Sequence, residues 1–166
     1  MLLKCRNSRN EEVAEAAADG LAILSGVTNP RAFVFERLEA HGFDGLTDPQ
    51  QKYFAVAIYD GEVNNGGHTQ YVFNSSGDLC ETALSGLRAI GASKRAEMLS
   101  EALELFGRKG ASNDTGERHE QLAAFSGRQD TKLDALNSRY YECEENIEVL
   151  LTNYAVEHKE DFSERK

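Results

Sequence analysis

The chain has no tryptophan, two prolines and three cysteines in 166 residues. Scarce proline leaves helices uninterrupted, and abundant Ala, Leu and Glu favour a helical protein over a sandwich or barrel. Cys5, Cys80 and Cys143 are odd in number and far apart, which argues against a disulfide framework. No apolar run approaches the ~20 residues of a membrane span, and the opening MLLKCRNSRN lacks the apolar stretch of a secretory signal. A cytoplasmic protein with no membrane partner is therefore expected. Basic residues are the other shortage: 18 Lys and Arg stand against 28 Asp and Glu, a formal net charge of −10. Direct binding to nucleic acid needs a basic footprint, so that class is disfavoured.

Catalytic signatures are missing as well. There is no C-x-x-C pair, H-E-x-x-H, G-x-S-x-G, Walker loop or dinucleotide fingerprint. His41, His68, His119 and His158 share no helical spacing that would bring two ligands together, and Arg118-His119-Glu120-Gln121 is only a fragment of a zinc motif. Cys80, on a helical face with Ala83 and Leu84, reads as a small core hydrophobe. No catalytic residue, metal or cofactor is expected, and the chain does not read as an enzyme.

The length suits one all-α domain, a multi-helix bundle over residues 1–166 with a loose segment at 1–10. The chain is organised around residues 50–76. Asp48 followed by Pro49 predicts a helix start, with Asp48 as the cap and Gln51 three residues beyond it. Tyr53, Val56 and Ala57 form an apolar face, and Asn64-Asn65-Gly66-Gly67 predicts a tight break, with Gly66 at positive φ. A second short helix should follow, capped by Thr69 and carrying Tyr71, Val72 and Phe73, so that the two aromatic clusters fold onto each other.

Around it, helices are predicted over residues 11–24, from the Asn29-Pro30 start to Gly42, from Asp78 to Gly91 with Glu81 completing a capping box, and from Ser93 to Gly107. Residues 108–117 read as a flexible loop, 119–125 as a short helix, 127–131 as a turn, and Leu133, Leu136 and Tyr140 as the start of another apolar stripe. Ile147, Leu150, Leu151, Tyr154, Ala155 and His158 mark a last helix. Nothing alternates at period two.

Two constellations could act on another molecule. Glu62, Asn64, Asn65, His68, Gln70 and Asn74 surround the break and could line a small polar pocket for a ligand or a reaction. The bland reading is that their amides bond to backbone at the helix ends, as Asn commonly does. The second is acidic. Residues 142–164 hold Glu142, Glu144, Glu145, Glu148, Glu157, Glu160, Asp161 and Glu164 against the single base Lys159, a net −7. Glu97 with Glu101, followed by Glu104, and Glu144 with Glu148 repeat at helical spacing, and four residues rise about 6 Å along a helix. That matches neighbouring phosphates on a nucleic-acid strand, although rows of acids are more often solvated helix faces.

The run Glu62-Val63-Asn64-Asn65-Gly66-Gly67, then Gln70-Tyr71, Asn74-Ser75-Ser76-Gly77 and Ile90-Gly91-Ala92, with the pair Tyr140-Tyr141, resembles the signature of a family of helical bacterial proteins. The resemblance covers about residues 48–162. Most of that family carry a domain of unknown function; the best-known member is a DNA mimic. His68 stands where the family pattern has Phe. The resemblance implies an all-α domain and, for the named member, an acidic homodimer that occupies the DNA-binding surface of a helix-turn-helix repressor and relieves repression. The motif and the mimicry are separable, because amide, glycine and apolar residues build a fold while surface carboxylates vary freely. The expected function is that of an acidic helical binding protein, a DNA mimic with a basic DNA-binding partner. An immunity or antitoxin-type inhibitor of a basic toxin, or a ligand binder or enzyme using the pocket of residues 62–74, is the alternative.

Overall fold

The structure is a computed structural model that describes residues 10–163. Cys5, Glu164 and residues 1–9 of the terminal segment lie outside the described residues. Eight α-helices account for most of the described chain: α1 (Glu11–Ser25), α2 (Pro30–His41), α3 (Asp48–Phe73), α4 (Cys80–Ala89), α5 (Ser93–Glu104), α6 (Thr115–Ala123), α7 (Gly127–Tyr141) and α8 (Ile147–Glu157). Short 3-10 turns occupy Phe43–Gly45, Ser75–Leu79 and Gly107–Lys109, and no strand occurs among the described residues. The all-α class read from the sequence is the class observed.

The helices belong to two units. One holds residues 10–54, 89–91 and 146–163. Its α1 and α8 meet through Ala14, Ala18 and Val149, and small side chains let the two backbones approach closely. Asn10, Asn29 and Asn146 cap α1, α2 and α8 by accepting the N–H of Val13, Ala32 and Val149. The rings of Phe35 and Phe43 pack on Phe54, and Tyr53 packs on Phe162. Helix α3 begins one residue earlier than the proline predicts. Thr47 is the cap, and Gln50 reaches back to the Thr47 N–H at 3.0 Å while its amide donates to the Asp161 carbonyl.

The other unit holds residues 55–88 and 92–145. Tyr59, Tyr71 and Tyr140 are buried at its centre, with ring centroids of Tyr71 and Tyr140 at 4.9 and 5.6 Å from Tyr59. Three sequence expectations are corrected here. Residues 127–131 are the first turn of α7, because Ser126 and Gln129 form a capping box. The short helix near 119 starts at Thr115, with Asp114 accepting the Glu117 N–H at 2.9 Å, so the loop shrinks to residues 110–114. The Asp78–Glu81 box does not form; Asp78 lies inside the 3-10 turn, and its carboxylate faces Arg118 at 2.8 Å.

Candidate functional site

Helix α3 is two helical segments joined at a break. Gly66 (φ −156°) and Gly67 (φ 75°) leave the helical region, so the left-handed residue is Gly67 and not Gly66. A Cβ on Gly67 would also stand 2.5 Å from the Asn137 amide, which leaves glycine alone suited to the position. A break exposes carbonyls on one side and N–H groups on the other. Helix α7 answers both: Tyr141 donates its hydroxyl to the Val63 carbonyl at 3.0 Å, and Asn137 Oδ1 accepts the His68 N–H at 2.9 Å. The cap of the second segment is thus Asn137, from 69 residues away, and not Thr69.

The far end of α3 is closed by α6. Arg118 is fully buried; it donates Nε to the Val72 carbonyl and Nη2 to the Asn74 carbonyl at 2.9 Å. His119 Nε2 takes the Phe73 carbonyl at 2.7 Å, its ring stacked on Phe73 at 4.0 Å. Gly77 makes room, since a Cβ there would meet Arg118 Nε at 2.6 Å and the Val72 carbonyl at 2.9 Å. The Arg118-His119 fragment therefore closes a helix end instead of binding zinc.

Glu62 ties the two segments together. Its carboxylate accepts Gln70 Nε2 at 2.6 Å, Asn74 Nδ2 at 3.0 and 3.1 Å, and Ser76 Oγ at 3.3 Å. Burial raises the Glu62 pKa, but the donated hydrogen bonds outweigh it and hold the carboxyl below its usual value. Asn64, Asn65 and Ser75 are exposed, Tyr71 is buried, and the Asn74 amide serves Glu62, not the backbone. Of the polar residues expected to line a pocket, Glu62, Gln70 and Asn74 bond to one another, while Asn64 and Asn65 face solvent.

Beneath the break lies a buried polar chain. The backbone donor at His68 fixes Asn137 Oδ1 as an acceptor. That oxygen also lies 2.8 Å from His68 Nδ1, so Nδ1 carries the proton and Nε2 accepts the Tyr59 hydroxyl at 3.0 Å. Burial lowers the His68 pKa, the Asn137 bond opposing only in part, so the ring stays neutral. Beside it, Asp60 accepts the Tyr140 hydroxyl at 2.6 Å and Arg95 Nη1 at 3.0 Å, and the Arg95 guanidinium stands 4.0 Å from the Tyr140 ring centre. Residues 60, 95, 118 and 137 were not singled out from the sequence as partners, because their contacts join distant segments.

The acidic residues separate into distinct settings. On α5, Glu97, Glu101 and Glu104 share the side of the helix near basic residues of α7: Arg139 meets Glu101 at 2.7 Å, and Lys132 lines the same groove as Glu101 and Glu104. The Glu101 hydrogen bond holds the Arg139 pKa above its usual value, with the Glu97 charge adding to it. Glu142 and Glu144 are exposed, but Glu144 precedes α8, so the helical spacing assumed between Glu144 and Glu148 does not exist. Glu145 caps α5, accepting the N–H of Lys94 and Arg95 at 2.9 and 3.0 Å where Ser93 was expected to do so. Glu157 and Glu160 are exposed near the end of the described chain; Glu160 and Asp161 share a surface hollow with Arg37.

Glu148 belongs to a feature the sequence reading passed over. With Glu15 and Asp19 it lines a groove of ≈ 220 Å³ along α1 and α8, together with Ala18, Val149 and Thr152. The Asn146 amide donates to Glu11 at 2.9 Å and Glu15 at 3.0 Å, an amide and not a cation. No Lys or Arg is among the described lining residues. The spacing of Glu11, Glu15 and Asp19 was legible, but Glu11 reads first as a helix-dipole acid.

Among the described residues, no group of three or more His, Cys, Asp or Glu is placed to hold a metal ion, and no helix is long and apolar enough to cross a membrane. Comparison with curated proteins and with solved structures gives no match. A family model described as DMP19-like protein matches residues 44–158, a span that holds the break, the Glu62 carboxylate with its donors, and the α6 and α7 residues that close both ends of the second segment. On that match the chain belongs to the DMP19-like protein family.

Proposed function

We propose that this chain is an acidic binding protein that acts as a DNA mimic, its carboxylates standing where phosphates would stand on the basic surface of a DNA-binding partner such as a transcription factor. The observation that carries the reading is the groove along α1 and α8, where Glu15, Asp19 and Glu148 are gathered with no basic side chain among the described lining residues. The row on α5, in contrast, is partly neutralised by Arg139 and Lys132. Membership in the DMP19-like family, whose named member is a DNA mimic, supports the reading at the level of class. The Glu62 to Gly77 motif then serves as an internal splint, while recognition rests on surface carboxylates, Glu142 and Glu144 included. Homodimer formation, implied by the resemblance, belongs to the same reading and is checked by sedimentation.

The test starts from a DNA-binding protein recovered with this chain from its native host, challenged with DNA carrying that partner's site. Mimicry requires mutual exclusion and an attraction that weakens as salt screens it, over roughly 50 to 300 mM. Single exposed carboxylates contribute little, so paired reversals are compared. Glu15→Lys with Asp19→Lys should weaken partner binding more than Glu97→Lys with Glu101→Lys. A stable complex of partner, DNA and this chain together would rule mimicry out.

A further inference from the structure

Helix α1 has three sides. At about 100° per residue, Ala14, Ala18 and Ala22 share one, all buried. Glu12, Glu15 and Asp19 occupy the next, with Glu11 above the alanine side in the first turn. The third carries Val13, Ala16, Gly20, Ile23 and Leu24, and it is not covered among the described residues: Val13, Ile23 and Leu24 are 41%, 68% and 77% exposed. Exposed aliphatic side chains scattered singly need no explanation, but Ile23 and Leu24 adjoin, and Val13 lies about 15 Å along the same side of the helix, an apolar strip of the kind an amphipathic helix can lie along. Ala16 and Gly20 lie between the larger residues and let another backbone approach closely. Three acids and no base lie on α1 beside this face.

We propose that this face of α1 docks an amphipathic helix of a basic partner, apolar residues seated on Val13, Ile23 and Leu24 and Lys or Arg side chains aligned with Glu12, Glu15 and Asp19. Charge decides between occupants. A second copy of α1 would bring its own acid row against this one, whereas a helix edged with Lys or Arg meets its complement. Helix α1 also precedes the residues matched by the family model, 44–158, so the docking face lies outside the matched span. The proposal rests on the reading of the chain as a binder of basic proteins and adds an apolar anchor to it.

The test uses the full chain and two labelled peptides of roughly 18 residues built from leucine and lysine. One is patterned as an amphipathic helix with an apolar stripe; the other has the same composition scrambled. Binding is followed by fluorescence anisotropy at low salt. The patterned peptide should bind more tightly than the scrambled one. Ile23→Ser with Leu24→Ser should weaken it about tenfold or more, and Glu15→Lys with Asp19→Lys should weaken it as well. The serine variant should keep its Tm within about 2 °C, as exposed positions do. Equal binding of both peptides would sink the docking face and leave the basic-partner reading standing. Failure of both peptides to bind would take that reading down with it. A serine variant that sediments as a smaller species would make a second copy the occupant. A large fall in its Tm would mean that the chain's own residues cover the face, and either outcome overturns the proposal.

Discussion

Gly67 and Asn137 form a pair that cannot be altered one side at a time. Gly67→Ala adds a Cβ at a positive φ and drives it into the Asn137 amide, so a loss of about 1–3 kcal/mol is expected in urea denaturation, the cost of a strained backbone position. Stability equal to the parent chain would mean that the break relaxes without Asn137. His68 supplies a pH signature. Its folded pKa is lowered from an ordinary 6.5, so above pH 6.5 the ring is neutral in folded and unfolded chains alike. Below that value the unfolded chain takes up the proton first, and stability falls as pH drops toward the folded pKa, by at most about 1.4 kcal/mol per pH unit. Denaturation at roughly pH 7.5 and 5.5 should show this loss in the parent chain and a smaller one in His68→Phe. Glu62 acts in a lower window: its pKa is lowered from 4.5, so its contribution persists above that value and fades as pH falls further. The sequence disclosed the break through its consecutive glycines. It did not disclose Asn137, because nothing local to the NSRYY stretch shows that its amide will cap a helix far upstream.

Among the elements, the short second segment of α3 has the least support of its own. It is under two turns long, too short to hold itself in water, and stands because Asn137 accepts its first N–H and α6 donates to its last carbonyls. Arg118→Lys keeps a charge but loses the planar fork that reaches Val72, Asn74 and Ser112 together. It should cost about 3 kcal/mol or more, with faster amide exchange over residues 73–77. Arg118→Lys as stable as the parent chain would show that these carbonyls find other partners. At the start of α5, Glu145→Ala should cost about 1 kcal/mol and Glu144→Ala next to nothing, a comparison that separates a capping carboxylate from a solvated one a single residue earlier. Element starts were legible where the capping residue adjoins its helix, as Asn29-Pro30 does for α2. The start of α5 at Ser93 was legible while its cap was not, because Glu145 comes from elsewhere, and the start of α7 was misplaced because Gly127 hides the first turn. Helical class came through because period and composition agree over long stretches. The electrostatic roles did not, because a glutamate that caps, one that pairs with Arg139 and one that faces solvent are spelled alike.

At the scale of the whole molecule, the net charge of −10 opposes folding unless it is spread or screened. The carboxylates of Glu15, Asp19 and Glu148 are gathered in one groove, so Glu148→Lys should raise Tm at low salt, by an amount corresponding to roughly 0.5–1 kcal/mol, and added salt should shrink the difference. If the groove carries recognition, the same change should weaken partner binding, a gain in stability set against a loss of function. A Tm unchanged by Glu148→Lys at low salt would show the three carboxylates too far apart to repel. The unit that holds this groove is built from segments far apart in the chain: α1 begins at Glu11, and α8 closes on it from Ile147. During synthesis at about 5–20 residues per second, residues 55–145 emerge, most of them belonging to the other unit, before α8 exists to cover Ala14 and Ala18. For those seconds Ala14 and Ala18 lack the Val149 contact that buries them in the folded chain, so the packing of α1 waits on residues more than a hundred positions further along.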